Sequence, residues 1–414
     1  MVNNDFELNN KGTSNAGDTR SLARHRWYFY KEGFSPSLVN KAIEESEITE
    51  NDIILDPFNG SGTVTLTAAI RGINTIGFEV NPFTSFLSDV KSINFTQKNF
   101  KKVSDEVLKN SEIGGVSHLE NYSTFTENKH KGQNQWLFNK SVLDSFAGGF
   151  NNLGTTSKSS KLAKLALVSA IMNNSNAKKD GKCLRYKSNW ENLNYDKYSF
   201  LESLEKNFII IEKDLENRVR TKPNIKTGDS RKLIKKLNSK FKLCITSPPY
   251  LNTFDYTDIY RPELFLSGFI NSSKELRKLR YETVRSHVQV RWNKPKLNDF
   301  GIHFNDVFKK ISDKRDLLMH KNIPDMISAY FEDMQGIFID LKQKADTGAS
   351  LWFVVSTSAY ANEHIPVDLI LADIATKVGW KLKEIGVLRE IHKRKTRFSP
   401  DIDKLRESVI ILKN

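Results

Sequence analysis

Apolar positions along the chain follow two periods, and the order in which these alternate predicts the architecture. Residues 37–45 place Leu38, Val39, Ala42 and Ile43 on one side of a helix. Residues 52–55 form a short apolar run, read as a buried strand ending at Asp56, and residues 63–71 form a second helix stopped by Gly72. A further strand over 73–80 completes a strand–helix–strand unit, which predicts a parallel sheet with helices on both faces. Between about 95 and 220 the pattern turns polar and rich in Asn, Lys and Ser, with helices over 162–171 and 200–215. That stretch reads as an insertion in the sheet. Strands return at 225 and 241–246, and an irregular, basic segment then spans 272–322. The alternation closes with a helix over 323–344, a strand over 350–356, a helix over 366–378, and strands over 381–391 and 407–413 joined by a basic loop. The chain thus divides into a disordered lead (1–23), sheet portions (24–95, 225–271 and 323–414), an inserted helical region (96–224) and a basic insert (272–322).

Composition narrows the class. The 414 residues are 38% hydrophobic with a mean hydropathy of −0.49, and no run approaches the ~20 apolar residues that span a bilayer. Residues 1–18 are polar and lack the apolar segment of a signal peptide. Cys183 and Cys244 are too few for a disulfide framework or a cysteine zinc site, which points to a reducing, cytoplasmic setting. Cys244 lies in the apolar run Leu243-Cys244-Ile245 and reads as a packing residue. His25, His303 and His392 have no metal-ligand spacing, so no metal is expected. The net charge of +14 and pI of about 9.4 favour a polyanionic partner.

Two strings carry chemistry. Asp56-Pro57-Phe58-Asn59-Gly60-Ser61-Gly62-Thr63 puts glycines after a strand end, where backbone must approach a ligand or take positive φ. Asp56 is placed to face a cationic amino group. The string lacks the Gly-Lys-Ser/Thr ending of a nucleoside-triphosphate loop and the full glycine pattern of dinucleotide binders. Glu79, in Gly77-Phe78-Glu79-Val80-Asn81-Pro82 at the end of the next strand, suits two vicinal ribose hydroxyls. The second string is Thr246-Ser247-Pro248-Pro249-Tyr250. An exocyclic amine on a planar base is a poor nucleophile, and acceptors for its N–H hydrogens favour a more pyramidal nitrogen. Ser247 supplies one acceptor and the Pro248 carbonyl another, its direction set by the two prolines. Tyr250 offers a face on which the base stacks. No covalent intermediate is needed.

In this order, the two strings resemble the S-adenosylmethionine motif and the catalytic clamp of the amino-methyltransferases that act on DNA bases. The resemblance implies a class I methyltransferase, Rossmann-like α/β fold: a mixed seven-stranded sheet with helices on both faces, closed by a hairpin, with mostly helical and irregular DNA-recognition inserts. It implies S-adenosylmethionine as cofactor, held by Asp56, Pro57, Phe58, Gly60, Ser61, Gly62 and Thr63, and by Glu79, Val80 and Asn81. Phe34 and Pro36, in the segment Tyr30-Lys31-Glu32-Gly33-Phe34-Ser35-Pro36, resemble residues beside the cofactor's methionine end. Asp229, followed by Ser230, stands where the family's acidic residue faces the adenine. Ser247, Pro248, Pro249 and Tyr250 would form the catalytic clamp, with Asp255 and Tyr256 lining its pocket. A base inside a duplex cannot reach such a clamp, so flipping from double-stranded DNA is implied.

Serine at the first clamp position favours cytosine N4, with adenine N6 as the alternative. An RNA methyltransferase or an inactive DNA-binding module ranks behind both. A cognate restriction endonuclease would be the partner enzyme. The resemblance covers about 24–90 and 225–414 without the basic insert. It departs from enzymes in which the clamp comes first. Residues 272–296 hold eight Lys/Arg against two Asp/Glu, interleaved with Tyr281, His287 and Trp292. With 389–397 and the patch 178–186, they are the expected DNA contacts.

Overall fold

The computed structural model describes residues 2–6, 16–122, 124–127, 134–154, 156–181, 183–392 and 401–414. The apolar runs assemble into one sheet of eight strands. These are β1 (Val2–Asn3), β2 (Ile53–Asp56), β3 (Asn74–Glu79), β4 (Asn224–Thr227), β5 (Phe241–Thr246), β6 (Ala345–Ser356), β7 (Lys381–His392) and β8 (Lys404–Lys413). Their spatial order is β1-β7-β8-β6-β5-β2-β3-β4. β4, β3, β2, β5 and β6 run parallel, whereas β8 is antiparallel to both β6 and β7. The last strand of the chain, inserted antiparallel between its two predecessors, gives the class I methyltransferase sheet. The eighth strand is the departure from expectation: Val2 and Asn3 pair with Ile385 and Gly386. The lead is not disordered throughout its described part, because Ala16–Arg20 also forms a 3-10 turn with Ala16 and Thr19 buried.

Strand periodicity sorts side chains onto two faces. Trp352 and Val354 of β6 join Ile54, Leu243 and Ile245 under helices α1 (Pro36–Glu45) and α2 (Thr63–Ile70). Leu351, Phe353 and Val355 face the other way, with Leu55 and Cys244. There they meet α10 (Ile302–Asp313), α11 (Ile323–Lys344) and α12 (Val367–Lys377). Cys244 is thus a buried packing residue, and Cys183 is exposed.

Helix α3 (Pro82–Lys91) turns its face toward the inserted region. That region comprises α4 (Gln97–Ile113), α5 (Lys140–Asn151), α6 (Lys158–Asn173) and α7 (Lys197–Asp214). Phe100, Phe146, Leu165 and Phe200 share one core with Phe83 and Leu87 of α3 and with Leu264 and Phe265 of α8 (Arg261–Leu266). The insertion also carries a small hairpin, Ala177–Asp180 with Cys183–Tyr186. The basic insert is less irregular than its sequence suggested, since α9 (Ser273–Glu282) and α10 occupy much of it. Their few apolar residues, Leu276 and Leu279 in α9 and Phe304, Val307 and Ile311 in α10, bury one narrow stripe each. Among the described residues, no helix is long and apolar enough to cross a membrane.

Candidate active site

β2 ends at Asp56, β3 at Glu79 and β5 at Thr246, all on one side of the sheet because the three strands are parallel. The strand order reverses between β2 and β5: β3 and β4 lie to one side, β6 and the closing pair to the other. Ligands bind outside the carboxyl ends of strands at such a point. A cavity of about 450 Å³ opens there.

The Gly-rich turn forms its floor. Gly60 has φ 48° and Gly62 has φ 85°. A Cβ on Gly62 would lie 2.4 Å from Ser88 Oγ, so conformation and packing both require glycine. At Gly60 a Cβ would meet the Tyr30 ring at 3.3 Å. Glu79 ties the turn down: its Oε2 accepts the Gly60 N–H and its Oε1 the Asn81 N–H, each at 2.8 Å. Asp56 accepts twice at Oδ1, from Phe58 N–H at 3.0 Å and from Thr246 Oγ1 at 2.6 Å. Its Oδ2 has no protein donor among the described residues. Burial pushes the Asp56 carboxyl up to about 7, partly offset by those two bonds, with Glu79 adding like charge. Burial also raises Glu79. Two under-solvated carboxyls on one wall make a site for a cation and for hydrogen-bond donors.

The clamp follows the adjacent strand end at Thr246. Ser247, Pro249 and Tyr250 line the same cavity, while Pro248 does not. Ser247 Oγ donates to Tyr250 Oη at 3.3 Å, and Tyr250 Oη donates to Glu407 Oε1 at 2.5 Å. Burial and the adjacent Glu407 carboxyl hold the Tyr250 phenol well above its ordinary range. The Gly-rich turn, the acidic strand ends and the clamp therefore line one space.

The chain's similarities agree with that geometry. A family model described as DNA methylase, of the N6/N4 kind, matches residues 6–85, the span holding the Gly-rich turn. The type II methyltransferase M.BsoBI of Geobacillus stearothermophilus is 30% identical over 447 residues, covering 94% of this chain and 85% of the relative. The chain belongs to the DNA amino-methyltransferase family. This methyltransferase is also 29% identical over 413 residues to the type II methyltransferase M.AvaI of Nostoc sp., covering 89% of the chain and 81% of the relative. The coverage by M.BsoBI includes most of the helical insertion, beyond the sheet portions to which the two motifs confined the resemblance. Two solved structures align at low scores. One is the rRNA methyltransferase aviRa of Streptomyces viridochromogenes (TM-score 0.31, 10% identity, 92% of this chain and 85% of that one). The other is a SAM-dependent methyltransferase of Methanosarcina mazei (TM-score 0.29, 10% identity, 90% and 96%). Such scores add nothing to the sheet order itself. With the family come S-adenosylmethionine as cofactor and DNA as substrate.

Of the methyltransferase's expected cofactor residues, Phe34, Asp56, Phe58, Gly60, Ser61, Thr63, Glu79, Val80, Asn81, Asp229 and Ser230 line the cavity. Three do not. Pro36 opens helix α1 from a buried position. The Pro57 carbonyl accepts from Ser230 Oγ behind the cavity wall. Gly62 caps α2. Asp229 is less open than its motif suggested: Arg231 donates to it from N, Nε and Nη2. Tyr256 lines the cavity, but Asp255 instead binds Arg280 at 2.7 Å.

The expected DNA cations also divide. Arg285 is spent on Glu332 and Asp333, and Lys179 reaches the fully buried Glu263 at 2.6 Å. Arg389 pairs with Glu407 at 2.8 Å. Lys393, Arg394, Lys395 and Arg397 lie outside the described residues, as does Lys182. Sequence reading missed Glu407 and gave no role in the site to Phe254 or Thr283, all of which line the cavity, as does Tyr30 at the start of the segment expected beside the cofactor. The signal for Glu407 was a lone acid entering the apolar closing strand, Glu407-Ser408-Val409-Ile410-Ile411-Leu412.

Proposed function

We propose that this methyltransferase moves the methyl group of S-adenosylmethionine to N4 of a cytosine flipped out of double-stranded DNA, as the modification partner of a cognate restriction endonuclease. The observation that carries the reading is a single cavity lined by the Gly-rich turn, by Asp56 and Glu79, and by Ser247 and Tyr250. The residues fit the cofactor on their own chemistry. Asp56 offers a free carboxylate oxygen to an ammonium, and Glu79 can accept ribose hydroxyls while still bracing Gly60. Asp229 has lone pairs left for an adenine amine despite its bonds to Arg231. When bound, the cofactor supplies an electrophilic methyl group. Ser247 accepts an N–H hydrogen of the target amine, Tyr250 stacks on its ring, and the clamp holds the nitrogen in line for attack. The serine of the clamp favours cytosine over adenine, and adenine N6 is the second reading.

The test is methylation of mixed-sequence duplex DNA with labelled S-adenosylmethionine, followed by digestion to nucleosides and mass spectrometry. N4-methylcytosine is the expected product; N6-methyladenine would keep the chemistry and overturn the choice of base. Ser247→Ala is expected to cut the transfer rate about 100-fold with cofactor affinity nearly unchanged, and a wild-type rate would remove Ser247 from the clamp.

A further inference from the structure

A hydroxyl can accept or donate, so a serine in the clamp selects an amine only if something directs its proton. Among the described residues, the hydrogen bonds that lead to Ser247 form a chain with fixed directions. Arg389 Nε donates to Glu407 Oε2 at 2.8 Å, and Arg389 can only donate. Tyr250 has one proton and gives it to Glu407 Oε1 at 2.5 Å. The Tyr250 oxygen can therefore only accept from Ser247, whose single proton is used at 3.3 Å. Ser247 Oγ is left with lone pairs alone to show the cavity. The pairing is built into the sheet, because Arg389 and Glu407 are opposite partners in the β7–β8 ladder and Glu407 is buried.

We infer that Glu407 is a specificity-determining positioning residue: acting through Tyr250, it fixes Ser247 as an acceptor, so that the clamp takes a base bearing an exocyclic amine and rejects its keto counterpart. This rests on the proposed placement of the target base against Ser247. The raised pKa of the buried Tyr250 phenol is consistent with it, since the phenol keeps its proton.

Glu407→Gln removes the acceptor that takes the Tyr250 proton. Arg389 demands the amide oxygen, so the amide nitrogen must face Tyr250 and donate to it. Tyr250 is then free to donate to Ser247, which releases the Ser247 proton to turn into the cavity, toward a keto oxygen rather than an amine.

The experiment measures equilibrium binding of the full chain, with S-adenosylhomocysteine present. The probes are duplexes of the sequence that wild-type protein methylates, carrying either the native target base or its keto counterpart (uracil for cytosine, hypoxanthine for adenine). Wild type should prefer the amine. In Glu407→Gln the amine-to-keto affinity ratio should fall about 10- to 100-fold, with S-adenosylhomocysteine affinity unchanged. Tyr250→Phe retains the ring but cuts the chain and should also lower the ratio, which covers the case in which Glu407→Gln does not fold. A wild-type ratio in whichever variant folds would overturn the inference while leaving the clamp intact. Wild type that methylates neither base, or shows no preference for the amine, would overturn the reading of the clamp and this inference with it.

Discussion

Asp56 carries a prediction in which stability and ligand affinity move in opposite directions with pH. Burial raises its carboxyl from 3.8 to about 7 in the protein without ligands. At 1.36 kcal/mol for each pH unit, ionising this group in place costs about 4 kcal/mol more than in the unfolded chain. Because the folded value lies above the unfolded one, the folded state holds the extra proton. The contribution to stability is full below about pH 4 and is lost as pH rises through about 7. A bound cation reverses the preference, since it requires the carboxylate. Affinity for S-adenosylmethionine should therefore rise by up to tenfold per pH unit between about 5 and 7 and then level off. Asp56→Asn, which keeps an oxygen for Phe58 N–H and Thr246, should bind the cofactor weakly with no such slope. Relative to wild type, its unfolding free energy should improve by up to about 4 kcal/mol between pH 4 and 8. Denaturant titrations at several pH values, paired with calorimetric cofactor titrations, measure both quantities, and the wild-type minus variant difference isolates this carboxyl from other titrating groups. The same pH slope of stability in both proteins, or wild-type affinity that falls from pH 5 to 7, would refute the argument.

Three further outcomes follow from individual side chains. Gly62→Ala should lose about 2 kcal/mol or more, because it meets both a positive φ of 85° and Ser88 Oγ at 2.4 Å; a thermal midpoint equal to wild type would contradict this. Lys179→Ala strands the buried Glu263 and should cost about 3 kcal/mol by denaturant titration, without changing the salt dependence of DNA binding. Neutralising Lys274, Arg277 or Lys278, all exposed on α9 and without ion pairs among the described residues, should instead lower the slope of log affinity against log salt by about 0.9 for each phosphate no longer neutralised.

Local signals made the sheet legible. The strand at 53–56, the helix at 323–344 and the closing strands stand within a few residues of where periodicity placed them, because each buries a face whose spacing is written in consecutive residues. The Gly-rich turn and the clamp were legible for a related reason: each packs its chemistry into five to eight neighbouring positions. What stayed hidden was pairing across distance. Thr246 braces Asp56 from 190 positions away, and Glu407 reaches Tyr250 across 157. Neither partner has a local pattern that names the other. The two-residue β1 was hidden because Val2-Asn3 has no periodicity to read, and only the exposed edge of β7 gives it a place.

Charge shows the same limit in a form that bears on DNA binding. A surplus of +14 predicts a polyanionic partner but not where the anion sits. Folding pairs Lys179, Arg231, Arg280, Arg285 and Arg389 with buried or half-buried acids. Each pair removes one charge of each sign and leaves the surplus unchanged, so the surplus must lie on cations without partners. Among the described residues of the basic insert those are Lys274, Arg277, Lys278, Arg291, Lys294, Lys296 and Lys309, all exposed. The same segment sends Thr283, Ser286 and His287 to the cavity wall, and the tip of the inserted hairpin brings Gly181 to it. Lys179, one pair from the turn of that hairpin, binds Glu263 and lies 3.5 Å over the Tyr260 ring. Lys179, one of the cations of a patch expected to contact DNA, is thus held by a buried acid and an aromatic ring, and neutralising the exposed cations of the basic insert is the perturbation that tests phosphate contact.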